Sequence, residues 1–412
     1  MGIRDGIAKG VRKGLSTAAF GIVAFTESQV RRAALVGAGL VGAGAVAALA
    51  VKILDTPSRP YSAEDNTVGS EYDSWTEDGI LESYWGEHIH LGFYDEDERK
   101  KGAFRKNFIQ AKFDFVDEMA KWGGVDFEGE HKPKKVLDVG CGVGGTSRHL
   151  AKKLGPETSV TGITLSPKQV ARATQLAKEQ NVPNANFQVT DALDMKFEDD
   201  SFDLVWACES GEHMPDKRKY IEEMTRVLKP GGQLVVATWC QRDNSTQPFT
   251  PAEDKKLDFL YSEWTHPYFI SINDYAKLME ETGKLEQIEQ ADWAEQTVPT
   301  WRLSILQGVV NPWPWLRVPR SYYKTVRDAW CLERMHQAFK AGLMQYGMIK
   351  SVKKAAVVIP PIGEGAMSVG TGTGTDAEAS AEGAPTEPGT GTGASDGQQV
   401  ASPGRDEPRV IP

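Results

Sequence analysis

Between "KKVLDVG" at 134–140 and "GGQLVVATW" at 231–239, short β-branched apolar runs alternate with stretches of helical period. The strand candidates are 135–139, 159–164, 185–189, 202–207 and 233–238. Strands that are apolar along their whole length and alternate with helices predict a parallel sheet covered on both faces. In such sheets ligands bind beyond the carboxyl ends of the strands, where the strand order reverses. Each strand end is therefore a place to look for chemistry.

The first strand runs into "DVGCGVGG". Gly140, Gly142 and Gly145 satisfy a dinucleotide G-x-G-x-x-G, while Asp138, Gly140, Gly142 and Gly144 satisfy the D-x-G-x-G-x-G of S-adenosylmethionine enzymes. Glycines here let the backbone turn sharply and approach a ligand closely at a helix N-terminus. A dinucleotide site also needs an acid about 20 residues on, to hold the ribose hydroxyls. The corresponding strand end is "GITLSP", with Thr164 and no carboxylate, which disfavours a dinucleotide. Asp191 and Ala192 follow the third strand, where an acid can accept from an adenine amino group or cap a helix. Asp203 opens the fourth strand, as a turn residue or a functional one, and "LKPGG" at 228–232 turns into the fifth. The four spaced elements together favour S-adenosylmethionine.

The formal net charge of -10 argues against nucleic acid as a partner, because binding a phosphate backbone needs a dense basic face. Four cysteines, Cys141, Cys208, Cys240 and Cys331, contain no Cys-x-x-Cys pair, so a thiolate zinc cluster is not expected. The two ends of the chain differ from its middle. Residues 33–51, "AALVGAGLVGAGAVAALAV", are uncharged and as a helix would span roughly 28 Å, close to a hydrocarbon core. Ala34, Ala38 and Gly42 recur at the small-residue spacing on which membrane helices pack. The arm before this run carries Arg4, Lys9, Arg12, Lys13, Arg31 and Arg32 against Asp5 and Glu27. Residues 1–54 are thus open to three readings: a retained membrane anchor, a removed targeting segment, or a soluble Gly/Ala arm. From about 355 the chain becomes Gly-, Thr-, Ala- and Pro-rich and lacks the apolar residues to offset its ordering entropy, so a disordered tail is expected over 355–412.

Over roughly residues 71–354 the chain resembles the γ-tocopherol methyltransferase family, within the class I S-adenosylmethionine-dependent methyltransferases. The resemblance is carried by "ILESYWGEHIHLGFYD" at 80–95, "DVGCGVGGTSRHLA" at 138–151, "GITLSP" at 162–167, "FEDDSFDLVWACESGEHMPDK" at 197–217, "TWCQRD" at 238–243 and "ADWAEQTVPTW" at 291–301. Alkaloid N-methyltransferases share several of these motifs. The resemblance implies a Rossmann-like seven-stranded sheet with helices on both faces, its last strand antiparallel around 348–353. Before the 131–354 domain it implies a linker and helical cap over 55–130 that contains "YWGEHIHLGFY". Tyr84 and Tyr94 of that cap are expected to close over the sulfonium, a cation–π contact of roughly 0.5–2 kcal/mol. With them, the expected cofactor set is Asp138, Gly140, Gly142, Gly144, Thr164, Ser166, Asp191 and Ala192. His88 and His90 lack a matching ligand set, and no metal is expected.

The fourth strand delivers "CESGEHMPD" at 208–216 to the sheet edge beside the glycine loop. Methyl transfer is an in-line displacement that needs positioning and a nucleophile in its reactive form. Removing a phenolic proton makes the ortho ring carbon of a chromanol a far better nucleophile. His213, as a base with a pKa near working pH, is the first candidate for this step, with Glu209 holding the phenol or orienting the base. Glu212 is expected to face solvent, and Met214 and Pro215 to shape the wall. Residues 245–345 carry Trp264, Tyr268, Phe269, Trp293, Trp301, Trp313 and Trp315, a weight of aromatics suited to a lipophilic acceptor. "NPWPWLRVPRSYYK" at 311–324 mixes Trp, Tyr and basic residues as membrane interfaces do. A plastid membrane is the location the resemblance implies. Three other readings stand beside C-methylation: N-methylation of an amine, a membrane-tethered S-adenosylmethionine-binding protein, and an NAD oxidoreductase.

Overall fold

Strand β1, Lys135–Val139, is buried along almost its whole length, as its run of Val and Leu requires of a strand covered on both faces. It lies inside a seven-stranded sheet of order β3-β2-β1-β4-β5-β7-β6. The computed structural model describes residues 46–355. β2 (Ser159–Thr164), β3 (Ala185–Val189), β4 (Phe202–Cys208) and β5 (Leu228–Gln241) run parallel to β1. β7 (Met344–Lys353) is antiparallel and inserts between β5 and β6 (Leu285–Asp292). β5 and β7 are longer than the expected 233–238 and 348–353. "LKPGG" bulges within β5, pairing resuming at Leu204 opposite Gln233, and the register then carries both strands on to Gln241 opposite Met344.

Alternate residues of each strand feed two cores. Leu204, Trp206 and Val235 enter one, with Val136 and α3 (Gln110–Gly123); Val205, Leu234 and Val236 enter the other, with Tyr220, Ile221 and Met224 of α6 (Lys217–Val227). The sheet's helices include α4 (Gly145–Leu154) after β1 and α5 (Pro167–Glu179) after β2. Ser166 caps α5 by accepting from the Gln169 N–H at 3.0 Å, and Pro167 fills the first helical position.

The carboxyl edge is roofed by α1 (Thr67–Asp78), α2 (Ile80–Trp85), α7 (Pro251–Glu263), α9 (Pro299–Val310) and α10 (Tyr322–Lys340), while α8 (Ile272–Glu281) packs Ile272, Tyr275 and Met279 into the second core beside α6. The expected cap stretch "YWGEHIHLGFY" is helical only through Trp85. Gly86, at φ 70°, ends α2, and residues 87–94 run on without helix.

Residues 46–54 are helical, and no helix among the described residues is long and apolar enough to cross a membrane. Most of the run 33–51 lies outside the described residues, as does the tail expected beyond 355. The chain following the 46–54 helix is tied to the roof by a buried ion pair. Arg327 Nη2 meets Glu263 Oε2 at 2.6 Å and also donates to the Thr56 carbonyl at 2.7 Å. Glu263 accepts in addition from the Ser58 N–H at 3.0 Å and from Arg59 Nη2 at 3.1 Å.

Removing one partner of a buried pair leaves an uncompensated charge. Glu263→Ala is expected to lower the unfolding free energy in urea by about 3–5 kcal/mol. A change below about 1 kcal/mol would show that the pair behaves as a surface one.

Candidate functional site

The strand order reverses between β1 and β4, with Val139 opposite Ala207, so the glycine loop and the turn after β4 start side by side. Gly140 has φ 82°, and a Cβ there would stand 2.4 Å from that of Ser210. Gly142 has φ 55°, and a Cβ there would meet Gln169 and Ile89 at 3.9 Å, ordinary contacts. Both glycines line a cavity of about 400 Å³ together with Thr164, Ser166, Asp191 and Ala192.

Asp138 and Gly144 do not line that cavity; their contacts are within the loop and its neighbours. Asp138 is buried and accepts from Ser147 Oγ at 2.5 Å. Burial pushes its carboxyl up to about 6, against the pull of the Ser147 hydrogen bond. Gly144, at φ 75°, opens α4, where a Cβ would meet the Phe187 ring at 2.4 Å. Thr164 Oγ1 donates to Gln169 Oε1 at 2.8 Å, and Ser166 Oγ donates to Asp73 of α1. Asp191 Oδ1 accepts from the Leu193 N–H at 2.8 Å, so it caps its own turn while lining the cavity.

At the end of β4, Glu209 sits at φ 50°, a left-handed conformation unusual for a residue with a side chain. Its Oε1 accepts from the Leu91 N–H and from the Tyr346 hydroxyl, each at 2.7 Å. Glu212, expected in solvent, is instead buried, because the turn Gly211–His213 folds its side chain back over β5. There its Oε2 accepts from Thr238 Oγ1 at 2.8 Å. Burial pushes the carboxyls of both Glu209 and Glu212 up, and on Glu209 the charge of Glu212 adds to it. Lys217, also buried, donates to the carbonyls of Gly211, Glu212 and Met214 at 2.7, 3.0 and 2.8 Å and so clamps the turn. Burial draws its pKa down to about 7.

His213 does not have the expected pKa near working pH. Burial pulls it down to about 3, and the Lys217 charge acts in the same direction. Its Nε2 lies 3.0 Å from the Tyr72 hydroxyl, whose own pKa is raised by burial. Both groups are therefore neutral and share one hydrogen bond, while His213 Nδ1 is buried with no hydrogen-bond partner. The ring also stacks at 4.4 Å on His266.

A second cavity, of about 520 Å³, lies between α1, α2, α9 and α10 and is lined chiefly by apolar side chains, among them Trp75, Trp85, Trp239 and Leu332. Tyr72, Ile89, Glu209 and His213 line both cavities and form the wall they share. Of the aromatics expected around an acceptor, Trp264, Trp301 and Trp315 line this second cavity. Trp293 and Phe269 instead pack in the core, and Trp313 is exposed.

Neither Tyr84 nor Tyr94, expected to close over the sulfonium, lines the glycine-loop cavity. Tyr84 lines the apolar cavity, because its hydroxyl is held by the Asn311 carbonyl at 2.7 Å. Tyr94 is fully buried outside both cavities, since its backbone N–H is bound to the Gln296 carbonyl at 3.0 Å and draws it into the core. His88 and His90 face each other at 3.2 Å, kept neutral by burial. No group of metal-ligating side chains converges among the described residues. Sequence reasoning missed Tyr72, Tyr346 and His266. Tyr346 lies opposite Trp239 in the part of β7 that precedes the expected 348–353.

Residues 130–285 match the family described as "Methyltransferase domain". The chain is 47% identical over 73% of its length to the 2-methyl-6-phytyl-1,4-hydroquinone methyltransferase of Synechocystis sp., covering 91% of that protein. It is 41% identical over 67% of its length to the chloroplastic tocopherol O-methyltransferase of Arabidopsis thaliana, covering 79% of it. In fold it is similar to the geranyl diphosphate C-methyltransferase of Streptomyces coelicolor, solved with S-adenosyl-L-homocysteine. The TM-score is 0.54 at 19% identity, covering 71% of this chain and 99% of that one.

The acid pair sets a pH dependence of stability. With both folded pKa values raised, the native state holds protons that the unfolded chain has released. Stability therefore falls as pH rises from the ordinary carboxylate range through neutrality. In Glu209→Gln this fall is expected to shrink in urea unfolding at about pH 5 and about pH 8. Equal slopes in variant and parent would mean that the carboxyl is not desolvated.

Proposed function

The chain belongs to the S-adenosylmethionine-dependent methyltransferases of the tocopherol pathway, and from that membership we propose that it methylates a ring carbon of a prenylated phenol or hydroquinone. The observation that carries this reading is the shared wall: Glu209 and His213 belong at once to the glycine-loop cavity and to the apolar one. Electrophile and acceptor would meet there and nowhere else along either cavity.

The glycine-loop cavity fits the cofactor. At Gly142 a Cβ would meet only ordinary contacts, Gln169 and Ile89 at 3.9 Å, so the bare backbone leaves room for a ligand to approach, and Asp191 offers an acceptor in the same cavity. Gly140 and Gly142 would hold the amino-acid portion, Thr164 and Ser166 the ribose, and Asp191 with Ala192 the adenine. When bound, S-adenosylmethionine supplies an electrophilic methyl carbon. The protein's own work is to orient the acceptor ring, exclude water and take the phenolic proton. A raised carboxyl suits that last task, since general bases act best with a pKa near the operating pH. Glu209 is the proposed base. His213, neutral and hydrogen-bonded to Tyr72, is proposed to position the phenol oxygen.

The apolar lining supports a lipophilic acceptor, and the two oxygen-bearing substrate types in the relatives' names support a ring with a phenolic hydroxyl. The relative's chloroplastic name and the apolar run 33–51 support a plastid membrane as the place of action.

The test is turnover of labelled S-adenosylmethionine with prenylated hydroquinones, γ- and δ-tocopherol and small amines. Label on a ring carbon is expected. Label on the phenolic oxygen or on nitrogen would overturn the assignment.

Glu209→Gln is expected to lower kcat by about 10²-fold or more with cofactor affinity preserved. The parent's kcat should rise with pH through neutrality as the carboxyl ionises, and that rise should vanish in the variant. A tenfold or smaller loss with the pH profile intact would assign the proton to another group.

A further inference from the structure

Of the fifteen large apolar side chains that stay exposed among the described residues, eleven fall in two stretches, 46–53 and 306–326. The second stretch presents Val309, Val310, Trp313, Tyr322, Tyr323 and Val326, several of them more than 60% exposed. Hydrogen bonds hold it together as one surface. Trp315 Nε1 donates to the Gly308 carbonyl at 3.1 Å, and Tyr322 Oη donates to the Leu316 carbonyl at 2.6 Å. Arg327 Nη1 joins the two stretches, donating to the Ile53 carbonyl at 3.2 Å and to Tyr323 Oη at 3.1 Å. The 46–54 helix, with Val46, Leu49, Val51 and Ile53 exposed, thus ends against the 306–326 face.

Val309 and Val326 also line the apolar cavity. The same cavity is lined by Glu209 and His213, so its lining extends from the acid turn to two residues of this exposed face. An apolar patch of this kind marks a site that something covers.

We propose that this face seats on a lipid bilayer, so that the acceptor passes from the membrane into the cavity between α9 and α10 without crossing water. The proposal rests on the lipophilic-acceptor reading above. Two features favour a bilayer over a protein partner. Trp313, Tyr322 and Tyr323 stand beside exposed Arg317 and Lys52, the pairing of amphipathic rings with basic groups that anchors at headgroup level. The sequence that precedes Val46, residues 33–45, is likewise apolar and uncharged, a composition suited to lipid.

The experiment uses the full chain with two acceptors: a prenylated hydroquinone embedded in phosphatidylcholine vesicles, and a short-tail analogue dissolved in water. Val310→Ser/Trp313→Ser and Val46→Ser/Leu49→Ser alter exposed residues that do not line the cavity. The rate on embedded acceptor, per vesicle-bound enzyme, is expected to fall about tenfold or more in the first variant and severalfold in the second. On the short-tail acceptor kcat/KM should stay within about twofold.

Unchanged rates on embedded acceptor in both variants would overturn the proposal. So would gel filtration showing a parent dimer that these substitutions convert to monomer, because the face would then join two copies of the chain. If the parent leaves the short-tail acceptor unmethylated, the acceptor reading fails by itself. Vesicle sedimentation then decides the docking face, and equal sedimentation of parent and variants overturns it.

Discussion

The hydroxyl of Ser210 donates to the Val139 carbonyl at 2.8 Å and lies 2.8 Å from the Tyr220 hydroxyl. This contact stitches the turn after β4 to the end of β1, and it exists only because Gly140 has no Cβ to occupy the space. Everything chemical in the molecule depends on that closeness. Were the two turns a side chain's width further apart, the glycine-loop cavity and the acid turn would no longer share a wall. The sheet's order reversal brings the strands together, and the missing methyl group brings their ends into contact.

Two carboxyls are then buried within one turn, an arrangement that costs free energy unless the surroundings answer it. The answers come from four separate elements: the Leu91 N–H from the segment after α2, the Tyr346 hydroxyl from β7, the Thr238 hydroxyl from β5, and the Lys217 ammonium from α6. Lys217 touches neither carboxylate. It grips the carbonyls that shape the turn and opposes the charge of Glu212 through space. The left-handed backbone at Glu209 is held by the same surroundings.

The bounds of β1, β2 and β3 were legible in the sequence because each is a short β-branched or apolar run closed by a turn signal. The ends of β5 and β7 were not, since their extra length comes from pairing with each other across a large sequence separation. The same division holds in the site. Gly140, Gly142, Thr164, Ser166, Asp191 and Ala192 could be placed from strand ends alone, and all of them line one cavity. The charge state of His213 and the burial of Glu212 depend on which distant rings and helices cover them, and local sequence does not carry that. Tyr84 and Tyr94 flank a glycine that ends a helix, so their proximity in sequence did not become a shared face. The acidic overall charge and the scattered cysteines narrowed the function classes without pointing to any of these contacts.

β7 occupies an inner position of the sheet although it is the last strand among the described residues, and it brings Tyr346 to Glu209. During synthesis the glycine loop and the acid turn leave the ribosome well before this strand does, and domains generally fold from the N-terminal side. Until residue 346 has emerged, β5 has an open edge, β6 has no neighbour, and the Glu209 carboxyl lacks its hydroxyl donor. The nascent chain therefore has its glycine loop early and the full set of hydrogen bonds to Glu209 last. Completion of the sheet and completion of the surroundings of this buried carboxyl are a single late event in the life of each molecule.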